Sequence, residues 1–386
     1  MTACAIEAAA EEDGTLRPTG FTITADGAYA ARLAGNGDAL YPERWTLDGP
    51  EPYAVPLPLG QPEEPDTRVV PMADGRVLIG RRVQERYTFS LLYPTGPRTG
   101  ELPLGAVEST GLTLLPPSPD GTCAYALVPG PGATAIWLVA GGAFGPELVA
   151  EVKGRCTGGV WLDRTGRMLA VDRRLDDGPV KSVAVDLERG GEVTELLQIT
   201  EESDDRLLLA DPDSGLLLIR SDAPSPGHHR LGWGVLGSSR PVRFPECLRL
   251  PDAAVTPFAI QPGQMLMPEN CAVALRIDGA AGSWVGLWRP SARRLHQVAA
   301  PGGWLAGAGL WTRSGVLRLP YVTAAVPCGL ARLEAPVEAP VEAAPAAPGA
   351  VATQGAQGVQ AAAKPAVCRP VPLQQAPLSG RRSAAG

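Results

Sequence analysis

The chain has 386 residues, of which 45% are apolar and 19% charged, enough for a sizeable hydrophobic core. Its formal net charge of −7 excludes nucleic acid and anionic membrane surfaces as expected partners, because both demand a basic face. The 46 glycines and 40 prolines fit many short strands joined by many turns.

The N-terminal stretch MTACAIEAAAEEDG has neither the basic start nor the apolar centre of a secretion signal, so a cytoplasmic location is expected. No apolar run approaches the roughly 20 residues that cross a bilayer. The nearest, ATAIWLVAGGAF at 133–144, contains two glycines. Cys4, Cys123, Cys156, Cys247, Cys271, Cys328 and Cys368 stand singly, with no CxxC pair. That pattern predicts reduced thiols and no zinc site or other cofactor. Cys123 and Cys271 fall in predicted strands, as small core residues.

Along the chain one pattern returns: an apolar strand, a tight turn and a second apolar strand. It reads FTITADGAYAARLAG at 21–35, VVPMADGRVLIGRR at 69–82, LPPSPDGTCAYALVPG at 115–130, VWLDRTGRMLAVDRR at 160–174 and LLLADPDSGLLLIRSD at 207–222. Two looser copies follow, MPENCAVALRID at 267–278 and GLWTRSGVLRLPY at 309–321. The turn residues are Gly27, Gly75, Gly121, Gly166, Gly215, Asn270 and Gly315, separated by 48, 46, 45, 49, 55 and 45 residues. Glycine or asparagine is what a reversal through positive φ requires, so the match has a physical cause.

A third strand follows each turn, usually with an aromatic, as in RWTLDG (44–49), IWLVAGG (136–142), LGWGVLG (231–237) and VGLWRPS (285–291). A fourth follows, as in PYAVPL (52–57) and PELVAEV (146–152). Four short strands per period is the content of one β-propeller blade, so the prediction is all-β: a seven-bladed propeller of four-stranded antiparallel blades over 1–333. Trp45, Trp137, Trp233 and Trp288 then fill the spaces between blades. The last blade is short, and a strand from 3–8 or 15–19 is expected to complete it and cover its edge. A closed ring has no blade edge that needs a second chain, so a monomer is expected.

The turn Ser118-Pro119-Asp120-Gly121, with degraded copies Ala73-Asp74-Gly75, Arg164-Thr165-Gly166 and Asp213-Ser214-Gly215, resembles the S-P-D-G turn of TolB-type and WD-repeat-like β-propellers. The resemblance covers about 15–335 and implies the same fold. The chain departs from these families in having no Trp-Asp dipeptide and no signal peptide, so the resemblance leaves the cellular role open. From 334 to 386 alanine, proline, glycine and glutamine dominate and apolar periodicity ends, which predicts a disordered tail.

In this topology the second strand of each blade ends near the channel mouth. Charged residues stand there in four blades: Arg81 and Arg82; Asp172 and Arg173; Arg220 and Asp222; Arg276 and Asp278. The SPGHH segment brings His228 and His229 to the same face, whereas His296 lies in a predicted outer strand. Such a face suits a non-catalytic scaffold that binds a protein or peptide partner. Two alternatives use the same residues, a metal-assisted lyase or hydrolase and a small-molecule-binding propeller. No nucleophile elbow, dinucleotide fingerprint or calcium loop is found, so no catalytic or metal-ligating residue is assigned.

Overall fold

A computed structural model describes residues 20–37, 39–263 and 265–335. Its strands form seven separate antiparallel sheets, and within each the strands lie side by side in chain order. This is the predicted seven-bladed propeller. Consecutive strands reverse direction, so each blade's turn between strands two and three shares a face with the connection into the next blade. That face is the mouth face below.

The first-to-second-strand turns explain the repeat. Gly27, Gly75, Gly121, Gly166, Gly215 and Gly315 all have φ between 68° and 82°, the left-handed region that a side chain resists. At the Ser118–Gly121 turn the hydroxyl of buried Ser118 donates to Asp120 at 2.6 Å and accepts the Cys123 N–H at 3.1 Å. Thr24 replaces Ser118 in blade 1, donating to Asp26 at 2.6 Å and accepting the Tyr29 N–H at 3.1 Å. The Ala73 N–H donates to the Gly121 carbonyl at 2.9 Å, so one blade's turn is stitched to the next.

Blade 6 departs from the expected turn. Asn270 is not in the left-handed region; it ends a short 3-10 helix, Pro268–Asn270, in a longer connection between Ala253–Ile260 and Val273–Gly279. Five sheets have four laddered strands, while blades 5 and 7 have three. In blade 5, Trp233 and Arg243 exchange backbone hydrogen bonds of 2.8 and 3.0 Å, placing a fourth segment at the outer edge. The last strand of blade 7 is Gly329–Glu334. The closing strand expected in 3–8 or 15–19 and the expected tail both lie outside the described residues, apart from Glu334 and Ala335.

Seven apolar clusters fill the seven junctions between neighbouring blades. The ring closes where Phe21, Ala30, Trp45 and Leu47 of blade 1 meet Ala308, Leu305 and Leu330 of blade 7. Trp45 is wholly buried there, with Phe21 edge-on at 4.9 Å between ring centroids. Trp233 and Trp288 share the junction of blades 5 and 6, and Trp137 packs on that of blades 2 and 3. All four tryptophans therefore serve packing. Cys156 and Cys271 are buried, Cys123 is half-buried, and the described cysteines are free thiols. No helix among the described residues is long and apolar enough to cross a membrane.

Candidate functional site

The mouth-face charges fall into different local arrangements. Arg81, on the second strand of blade 2 (Val77–Val83), is held by Glu63 at 2.8 Å and Glu101 at 2.8 Å. Glu63 lies in the connection from blade 1, and its side chain is only 5% exposed. Arg81 is thus the counter-ion of a buried carboxylate. Arg82, one residue on, is exposed. In blade 6, Arg276 pairs with Asp278 at 2.8 Å, and the Ser283 hydroxyl donates to the same carboxylate.

Blades 4 and 5 carry the densest polar arrangement. Asp172, on the second strand of blade 4 (Met168–Arg174), is 6% exposed. It accepts the Ser182 hydroxyl at 2.6 Å and the Leu207 N–H at 3.1 Å. Burial pushes its carboxyl up to about 6, although those two donors and the charges of Arg206 and Arg220 pull the other way. Asp205, fully buried on the first strand of blade 5 (Asp205–Ala210), accepts Lys181 Nζ at 2.8 Å, Ser221 Oγ at 2.6 Å and the Ile199 N–H at 2.9 Å. Arg173, the residue after Asp172 on its strand, is half-buried.

The loop between the second and third strands of blade 5 is folded on Asp222. That carboxylate accepts the Asp204 N–H at 2.8 Å and the Gly227 N–H at 2.9 Å. Burial raises the Asp222 carboxyl, but these N–H groups and His229 outweigh it and hold it below the ordinary value. The anchored loop presents both histidines at the surface: His228 Nδ1 is 3.4 Å from the Pro226 carbonyl, and His229 enters a cleft.

That cleft has a volume of 200 Å³ and lies between blades 5 and 6. Its polar side chains are Arg220, His229, Arg230 and Arg249, with Leu231, Leu248 and Val255 among the apolar ones and no acidic residue. Arg230 is tethered at 2.7 Å to Glu246, whose side chain is 74% exposed. A larger hollow of 580 Å³ on the same face at blade 3 is rimmed by Glu108 and Glu151 and lined by 128–133. Among the described residues, no group of three or more His, Cys, Asp or Glu is placed to hold a metal ion.

The structure therefore brings Asp172 towards Arg220, and Asp222 towards His229, while Arg81 and the Arg276–Asp278 pair are engaged within or beside their own blades. Sequence reasoning missed Arg230 and Arg249. One signal pointed to Arg249: the separation from Gly215 to Asn270 is the longest in the repeat, 55 residues, and the extra length includes the segment that carries it. Arg230 directly follows the two histidines that were singled out. Only two non-glycine residues among those described have φ in the left-handed region, Gln84 at 58° and Asp176 at 48°, and both lie in mouth-face turns.

No protein-family model matches the chain, and no curated protein matches it by sequence. Among solved structures, prolyl oligopeptidase B from Galerina marginata matches with a TM-score of 0.52 and 12% identity, over 81% of this chain and 48% of that one. This chain thus spans about half the length of that enzyme. The β-propeller domain of the Trilobed protease from Pyrococcus furiosus matches with a TM-score of 0.50 and 12% identity, over 81% and 93% of the two chains. TolB from Acinetobacter baumannii is also among the matches, with a TM-score of 0.42 and 12% identity over 80% of each chain. At these identities the likeness to the first two is one of fold, and the fold is the seven-bladed β-propeller that the repeats predict.

Proposed function

We propose that this chain is a non-catalytic β-propeller module that recognises a protein or peptide partner through its mouth face. The observation that carries the reading is the pairing of two hollows of opposite character on one face. One is rimmed by Glu108 and Glu151, the other is lined by three arginines and a histidine. Separated patches of opposite sign suit a macromolecule with complementary charges, whose approach and register they fix, better than one small ligand. Strained turn residues gather at functional surfaces, and Gln84 and Asp176 stand on this one.

The test is affinity capture from source lysate with the intact chain, an Arg82→Glu/Arg173→Glu/Arg249→Glu variant, and an Arg313→Glu control. Arg313 is exposed in the first-to-second-strand turn of blade 7, on the opposite face. Arg81 is left intact, because removing it would strand the buried Glu63 carboxylate. A protein retained by the intact chain and the control but lost with the triple variant is expected. Equal capture by all three, or capture by none, would overturn the reading.

A further inference from the structure

From the cleft between blades 5 and 6 we infer a carboxylate-binding site that takes an acidic peptide segment with an apolar residue beside its acid. The inference rests on the mouth-face reading above and gives it a ligand class. Three separate segments build the cleft: the second strand of blade 5 (Leu216–Ser221) supplies Arg220, the following loop and strand supply His229 and Arg230, and the connection into blade 6 supplies Arg249. Four basic side chains meet there without one lining carboxylate, on a chain whose net charge is −7. An anion is the ligand that such a lining recognises.

The guanidinium groups can receive one. Arg249 is exposed. Arg230 is largely buried, but its partner Glu246 is 74% exposed, so an incoming carboxylate can exchange with Glu246. Arg220 lines the cleft within electrostatic reach of Asp172, and a planar guanidinium with five N–H donors can serve more than one acceptor. Paired N–H donors match the two oxygens of a carboxylate.

The rest of the lining selects among anions. Leu231, Leu248 and Val255 give the cleft an apolar side, which free phosphate would leave uncovered and an apolar peptide side chain would cover. A long polyanion such as nucleic acid would meet the net negative charge of the remaining surface.

The test is fluorescence anisotropy with a labelled, capped Glu-Leu-Glu-Leu-Glu peptide, its glutamine counterpart, and inorganic phosphate as competitor. Each protein variant is first shown to melt like the intact chain. We expect the glutamine peptide to bind at least tenfold more weakly than the glutamate peptide. Arg249→Glu should weaken glutamate-peptide binding at least tenfold, and Arg313→Glu, the same charge change on the opposite face, less than twofold. Glu246→Gln, which releases Arg230, should strengthen it severalfold.

Equal loss with Arg249→Glu and Arg313→Glu would reduce the effect to overall charge and overturn the site, as would equal binding of the two peptides or none of either. Displacement by phosphate, where chloride at equal ionic strength has no effect, would replace the peptide with a free phosphate ligand. The two readings fail separately. A lysate protein that depends on the mouth-face arginines, without peptide binding, overturns the carboxylate site alone. Peptide binding without such a protein overturns the scaffold reading alone.

Discussion

Asp172→Asn should stabilise this protein above neutral pH, although it removes a carboxylate that accepts two hydrogen bonds and faces two arginines. Burial dominates at this position and raises the carboxyl from 3.8 to about 6. The ionised form is therefore disfavoured in the folded chain by about 2 pH units, or about 3 kcal/mol at 1.36 kcal/mol per unit. For a group whose folded value is raised, the cost is absent below about pH 4 and complete above about pH 6, so its contribution makes stability fall as pH rises between them. An asparagine side chain retains an oxygen to accept from Ser182 and Leu207 and never ionises. Urea midpoints for the two proteins should nearly coincide at pH 4 and separate through pH 6, with the variant ahead by about 3 kcal/mol at pH 8. Other groups titrate alike in both proteins and cancel in the difference. A variant less stable than the parent at pH 8 would show that attraction to Arg206 and Arg220 outweighs burial, and the reasoning would fail.

Further substitutions probe the ring. Trp45→Ala empties the junction of blades 1 and 7, and thermal unfolding should register a loss of about 3–5 kcal/mol if that junction closes the ring by packing. Gly121→Ala must keep φ near 68° and bring its Cβ to 2.7 Å from that of Ala73, at a cost of roughly 2–5 kcal/mol. Gly190→Ala has φ of 65° but open space, so it should lose only about 1–2 kcal/mol, and equal losses would deny the turn-to-turn contact. Arg81→Ala strands Glu63 and should destabilise by about 3 kcal/mol in urea, with Glu63→Gln recovering part of the loss in the double variant. Unchanged stability would release Arg81 from its structural role and return it to the binding face.

The fold was legible because its commonest turn has a steric requirement that only a few residues meet. Gly27, Gly75, Gly121, Gly166, Gly215 and Gly315 mark the seams by their positive φ. The reading failed locally at Asn270, where a longer connection with a 3-10 turn reverses the chain without a left-handed residue. The candidate site was only partly legible. Strand ends place charges at the mouth, but pairing depends on segments with no periodicity. Glu63, which neutralises Arg81, lies in a blade connection 18 residues away, and Arg249 lies in another. The Arg276–Asp278 pair was readable in principle, since residues two apart on a strand share a face.

The central claim is that partners meet the mouth face, and hydrogen exchange on the complex with the captured protein tests it most directly. Backbone amides in 222–230 and 245–255, which frame the basic cleft, should exchange more slowly in the complex than in the free chain. The turns at 116–123 and 210–216, on the opposite face, should be unchanged. Slowing confined to those opposite-face turns, with the cleft segments unaffected, would contradict the account.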